Sequence, residues 1–140
     1  MFQVPDYNLW LGNGGDVRNP RQVLDAGIAA LVELGAEEPI VAMPRDLIYC
    51  RFPLVDGPGN ATDLLRLSIQ TIVVLLRANV PTLIYCNAGI SRSPAIAAAA
   101  LALVLQKKPE ETLRRLADLH PLDVTPALWH EVIIAAEQMS

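Results

Sequence analysis

The chain has 140 residues, 52% of them apolar, and a formal net charge of −4. That length suits one domain, residues 1–140, with enough apolar material for a real core. An acidic chain without a basic stripe makes a poor partner for nucleic acid or an anionic membrane surface; no run approaches the roughly 18 apolar residues of a membrane span, and two cysteines are too few for a disulfide scaffold.

The opening "MFQVPDYNLW" has no basic segment ahead of a long apolar block, so no signal peptide is expected. The expected setting is a reducing cytoplasm, and the expected state a monomer. His120 and His130 have no cysteine at ligand spacing, so no metal and no cofactor are expected.

In chain order, "YNLWLG" reads as a strand that stops at the glycine-rich turn "GNGGD". "NPRQVLDAG" reads as a short helix, capped by Asn19, with Pro20 in its first turn and Gly27 at its end. "IAALVEL" is a buried strand followed by the loop "GAEEP", and "DLIYCRFPLV" is another strand, broken at Pro53. After the loop "DGPGN", apolar Leu64, Leu65, Ile69, Ile72, Val73 and Leu76 recur at helical spacing, predicting a helix from Asn60 to about Ala78.

"TLIYC" is a short central strand. A helix follows from Arg92 or Ser93 through Leu105, apolar nearly all round and therefore buried. Pro109-Glu110-Glu111 opens the next helix with acidic groups in its first turn, and a last helix runs from about Thr125 to Gln138. Strands alternating with helices predict an α/β fold: a central mixed, mostly parallel sheet of four or five strands flanked by helices.

The stretch Tyr85-Cys86-Asn87-Ala88-Gly89-Ile90-Ser91-Arg92-Ser93 lies between the central strand and the buried helix. A strand, a turn of small residues and a helix build an anion cradle. Backbone N–H groups point inward and the helix N-terminus adds partial positive charge. Gly89 permits a backbone conformation that a Cβ resists. Arg92, six residues after Cys86, returns to the same side of the loop, where its planar fork can grip two oxygens of a tetrahedral oxyanion. Such a field favours thiolate over thiol at Cys86, and a thiolate beneath a bound phosphate is an in-line nucleophile on phosphorus. The Ser93 hydroxyl is placed to donate to that sulfur and to help it leave. A buried core cysteine is the ordinary alternative for Cys86, and a surface salt bridge for Arg92.

Cys-x5-Arg-Ser with glycine three residues after the cysteine resembles the signature loop of the cysteine-dependent protein tyrosine phosphatases. The likeness to their dual-specificity branch extends over nearly the whole chain. "NLWLGNGGDVRNPRQVLDAGIAALVEL" resembles the opening of those domains, and "FPLVDGPGN" resembles their general-acid loop, with Asp56 thirty residues ahead of Cys86. The resemblance implies a metal-independent phosphatase. Cys86 would attack phosphorus, Asp56 would protonate the leaving oxygen, and Asp56 would then activate water against the cysteinyl phosphate. Arg92 and the N–H groups of Asn87, Ala88, Gly89, Ile90 and Ser91 would hold the phosphoryl oxygens. A turn aspartate is the plainer role for Asp56, and Asp63 is its nearest rival.

One departure stands out. The family usually has histidine before the nucleophile, and this chain has Tyr85. Tyrosine brings no cationic charge, which implies a less acidic Cys86 and a slower enzyme. Cys50 is either a small core residue or, as in some relatives, a disulfide partner protecting Cys86 from over-oxidation. Arg51 is near enough in sequence to line the mouth of the site; Trp10 and Trp129 read as packing. The uncharged loop positions, with no lysine, point to a singly phosphorylated substrate: a phosphoprotein, phosphotyrosine first, with phosphoserine or phosphothreonine, or a small phosphomonoester. The rival functions are a phospho-binding pseudophosphatase and, further off, arsenate reduction or sulfur transfer on a related thiolate loop.

Overall fold

A computed structural model describes residues 1–139. Five strands, β1 (Phe2–Gln3), β2 (Leu9–Asn13), β3 (Ala30–Gly35), β4 (Ile48–Leu54) and β5 (Thr82–Cys86), form one sheet in the order β1-β2-β5-β3-β4. Only β1 is antiparallel; β2, β5, β3 and β4 run parallel. Six helices flank them: α1 (Gly14–Val17), α2 (Pro20–Asp25), α3 (Thr62–Arg77), α4 (Arg92–Leu105), α5 (Pro109–Leu119) and α6 (Pro126–Glu137). The predicted class, a mostly parallel sheet flanked by helices, is the class observed.

Strand alternation divides the core. Ile84 and Cys86 of β5 face one side with Leu9, Leu11, Val32 and Leu34, and there α3, α4, α5 and α6 cover the sheet. Leu83 and Tyr85 face the other side, against Val17, Val23 and Ile28 from the α1–α2 segment. The alanine-rich face of α4 is what makes the larger layer compact. Residues Ala95 through Ala100 are all fully buried, because α4 packs against α3, α5, α6 and β5 together.

Three details differ from the sequence expectation. "GNGGD" is not a turn but the start of α1, because Asn13 accepts from the Asp16 backbone N–H while the Asp16 carboxylate accepts from Asn13 N–H. Pro53 does not end its strand, because β4 lies at the sheet edge, but the pairing with β3 shifts register there, with one extra β4 residue between Arg51 and Leu54. Helix α3 starts at Thr62 rather than Asn60, and Asn60 folds into the preceding loop instead.

The topology prepares a site at the carboxyl ends of the strands. After β2 the chain crosses to the α1–α2 face, and after neighbouring β5 it crosses to the α4 face. Adjacent strands whose connections leave on opposite faces open a crevice between them. Cys86 is the last residue of β5, level with Asn13 of β2.

Candidate active site

The loop after Cys86 is anchored by two backbone hydrogen bonds. Gly14 N–H donates to Asn87 O at 3.1 Å, and Asp123 N–H donates to Ile90 O at 2.9 Å. Gly89 takes φ +76°, and a Cβ there would come within 2.7 Å of Gly12 O. Glycine is therefore required twice, for the left-handed backbone and for the close approach to β2.

Arg92 is the first residue of α4 and is buried at 5% exposure. Its guanidinium has five N–H donors. Nη1 donates to Glu37 Oε2 at 2.7 Å and to Leu54 O at 3.0 Å, and Nη2 donates to Glu37 Oε1. That leaves Nε–H and one Nη2 hydrogen, which share one edge of the fork. Nε is buried with no partner. The hydrogen-bonded Glu37 keeps Arg92 protonated against the effect of burial, with the neighbouring Cys86 and Asp56 acting in the same direction. In return the guanidinium pulls Glu37 down to about 2.

Cys86, 2% exposed, opens onto a concavity of about 190 Å³. Asp56, Asn87, Ala88, Ile90, Ser91 and Arg92 line it with Cys86, joined by Asp123 and Thr125 from the segment leading into α6. The strand-to-helix stretch and the aspartate thirty residues ahead of it thus meet in one space. Gly89 shapes the loop from behind. Asp63, the rival acid, sits in the first turn of α3, paired with Arg66 and away from this concavity.

Asp56 Oδ1 accepts two hydroxyl hydrogen bonds, from Ser91 Oγ at 2.6 Å and Thr125 Oγ1 at 2.7 Å. Ser93 differs from expectation. Its Oγ is buried in the first turn of α4 with no hydrogen-bond partner, so the bond to the Cys86 sulfur is not made.

Of the two readings of Cys50 the core residue holds, since it packs against the larger core, while the disulfide reading and the placement of Arg51 fail on position. Cys50 is level with Val32, which is level with Ile84. Cys50 and Cys86 are therefore two strand spacings apart and offset by two residues, roughly 12 Å between Cα atoms. A disulfide needs less than about 7 Å, and both thiols are free. Arg51 does not line the mouth. It pairs with the fully buried Glu33, Nε to Oε2 at 3.2 Å, and its Nη2 donates to Ala36 O and Glu38 O at 3.1 and 3.2 Å.

Tyr85, fully buried, points away from Cys86 into the smaller core, where its hydroxyl lies 3.1 Å from that of Tyr49. Tyr49 Oη donates to Glu33 Oε2 at 2.8 Å. Burial, and then the contact with Tyr49, push the Tyr85 phenol up, so it stays protonated. It ties strands together rather than reaching the loop.

Sequence reasoning missed Glu37, Thr125, Asp123 and Glu131. "GAEEP" reads as a loop and Thr125 as a helix opener. Only the fold brings them to partners 33 to 72 positions away.

No protein-family model matches the chain. It is 33% identical over 119 residues to human dual specificity protein phosphatase 12, a match spanning 81% of this chain and 34% of that protein. The chain thus spans about a third of the length of that relative. The solved structure of human DUSP28 superposes with a TM-score of 0.82 at 22% identity, covering 94% of this chain and 93% of that one. That of DUSP15 superposes at 0.81 with 21% identity, covering 97% and 86%. Strand order, signature loop and these likenesses agree: the chain has the dual-specificity-phosphatase-like fold of the cysteine-dependent protein tyrosine phosphatase superfamily.

Proposed function

We propose that this chain is a metal-independent phosphatase that hydrolyses phosphomonoesters through a cysteinyl-phosphate intermediate. The observation that carries the reading is the open edge of Arg92. Three of the five guanidinium donors are engaged, while Nε–H is buried without a partner and shares its edge with the remaining Nη2 hydrogen, on a residue that lines the concavity together with Cys86. An orphaned buried donor costs about 1–3 kcal/mol. A tetrahedral oxyanion there would satisfy it with two parallel bonds.

In the first step Cys86 thiolate attacks phosphorus, the phosphorus–oxygen ester bond breaks, and Asp56 gives its proton to the departing oxygen. In the second, water attacks the cysteinyl phosphate, Asp56 takes the water's proton, and the sulfur–phosphorus bond breaks to return the thiolate. Arg92 and the loop N–H groups hold the equatorial oxygens in both steps. Ser93, unpartnered in the resting site, is free to donate to the sulfur as charge returns to it.

Uncharged Asn87, Ala88, Ile90 and Ser91 favour a monoester bearing one phosphate, phosphotyrosine first, then phosphoserine and phosphothreonine. The protein is expected to act as a soluble, cytoplasmic monomer. Among the described residues no helix is long and apolar enough to cross a membrane.

The test is hydrolysis of p-nitrophenyl phosphate and of a phosphopeptide panel in the presence of EDTA. Turnover that is blocked by vanadate and lost in Cys86→Ser supports the reading. Turnover that survives Cys86→Ser, or that requires added divalent metal, overturns it. The second reading, a phospho-binding protein without turnover, draws on Ser93, whose hydroxyl makes no bond to the sulfur. Vanadate or phosphopeptide binding with no hydrolysis would favour it.

A further inference from the structure

We propose that Thr125 is a positioning residue for the general acid: its hydroxyl fixes which oxygen of Asp56 carries the proton. The proposal rests on the phosphatase reading and assigns a role to a side chain outside the signature and acid loops.

Asp56 belongs to an irregular, exposed loop, and an aspartate there would ordinarily sample several rotamers. Two anchors from the α6 segment prevent this. The first holds the loop backbone. Asn60 Nδ2 donates to Val55 O and Gly57 O at 3.0 and 3.1 Å, and Asn60 Oδ1 accepts from Val55 N–H at 2.8 Å. Glu131 of α6 accepts from Gly59 N–H and Asn60 N–H at 2.9 and 3.1 Å. Burial works against the charge on Glu131, but these hydrogen bonds outweigh it and hold its carboxyl below the ordinary value.

The second anchor holds the carboxylate itself. Thr125 N–H donates to Ser91 Oγ at 3.0 Å, which turns the Ser91 hydroxyl to donate onward to Asp56 Oδ1. Thr125 Oγ1 donates to the same oxygen. Oδ1 thus accepts two hydroxyls, and a proton on it would displace one of them. The proton belongs on Oδ2, which has no protein partner among the described residues. Asp56 lines the concavity, and with Oδ1 held by two hydroxyls a proton on Oδ2 is the one available to a leaving group.

A proton on the leaving oxygen matters most for basic leaving groups, and general acid assistance is typically worth 10²–10⁴-fold. The experiment measures kcat and kcat/KM over a graded series of substituted aryl phosphates, for wild type, Thr125→Val, Thr125→Ser, Asp56→Asn and the Asp56→Asn/Thr125→Val double variant. Thr125→Val keeps the shape and the backbone N–H, and is expected to lose about tenfold in kcat on the most basic leaving groups and less than about twofold on the least basic, with little change in KM. Thr125→Ser is expected to keep the wild-type slope, and the double variant to be no slower than Asp56→Asn. If Thr125→Val is unstable to heat, Thr125→Ala is read in the same way.

If Asp56→Asn shows steep leaving-group dependence and Thr125→Val a wild-type slope, the positioning role is wrong while the phosphatase reading stands. An equal loss across the series that persists in the Asp56→Asn background marks Thr125 as merely structural and also overturns it. If Asp56→Asn itself shows no leaving-group dependence, the acid assignment fails first.

Discussion

Glu37 meets Arg92 end-on, each carboxylate oxygen taking a hydrogen bond from a different terminal nitrogen. This fixes the plane of the guanidinium and leaves its Nε edge unengaged on a residue that lines the concavity. Glu37→Gln keeps the shape but loses the charge and one acceptor. It is expected to weaken vanadate inhibition by about fivefold, about 1 kcal/mol, read from inhibition of p-nitrophenyl phosphate hydrolysis.

The same pair has a pH signature. Arg92 holds the Glu37 carboxyl at about 2 in the folded chain, down from the ordinary 4.5. A depressed carboxyl contributes stability that is fully present above the unfolded value and is lost as pH falls through the folded one. Wild type is therefore expected to melt above Glu37→Gln at pH 6–7, with the gap closing between about pH 4.5 and 2. Glu37 is half exposed, so solvent screening keeps the gap small. Melting curves for both proteins across that range check it.

Behind Glu37 lies a second polar network. Arg51 joins Glu33 to the carbonyls of Ala36 and Glu38, the residues on either side of Glu37. Glu33 is fully buried and its Oε1 has no partner, so it depends on Arg51 and Tyr49 for all its compensation. Arg51→Met is expected to cost about 2–3 kcal/mol in urea denaturation, less than a fully buried pair because Arg51 is a third exposed. Arg51→Lys should rescue little, because a single ammonium cannot span the carboxylate and two carbonyls. The loss should also carry to Arg92 as weaker vanadate inhibition.

How far the sequence told this in advance follows from the range over which each signal acts. Helical spacing placed α3, and a strand–turn–helix pattern placed Cys86 and Arg92 at one end of β5, because both are written within about twenty neighbouring residues. That Asp56 shares a concavity with Cys86 was legible only through the family likeness, since nothing local separates the proposed general acid from a turn aspartate. Glu37, Thr125 and Glu131 were not legible at all. Their partners Arg92, Asp56 and Asn60 are fixed by tertiary packing, and an acidic loop or a helix-opening threonine looks the same whether or not it meets a catalytic group. The placement of Arg51 failed for the same reason: closeness in sequence to Asp56 said nothing about which face it would occupy, whereas Cys50 packs against the core as the plainer of its two readings had it.

Gly89 tests the loop shape without touching its charges. Gly89→Ala combines a left-handed φ with a Cβ 2.7 Å from Gly12 O, which is backbone and cannot swing aside. The expected cost is about 2–3 kcal/mol, with near-complete loss of activity as the loop N–H groups turn from their target. Gly59→Ala is the control. Its φ is +98° but nothing lies within 4 Å of the added Cβ, so it should carry only the backbone term of about 1 kcal/mol. Urea denaturation of the two variants side by side separates strain from collision.

Cys50 and Cys86 offer the last test. Burial pushes the Cys50 thiol up, and strand register keeps it roughly 12 Å from Cys86, on a different strand of a paired sheet. Sheet strands cannot slide past each other without breaking their ladders, so the two sulfurs cannot meet in the folded chain. Treatment with mild peroxide is therefore expected to oxidise Cys86 beyond the thiol with no Cys50–Cys86 crosslink in the peptide map, and Cys50→Ser should inactivate at the wild-type rate. A crosslinked peptide recovered from folded protein, or faster inactivation of Cys50→Ser, would mean that β4 leaves the sheet edge on a timescale that the hydrogen-bonded register does not allow.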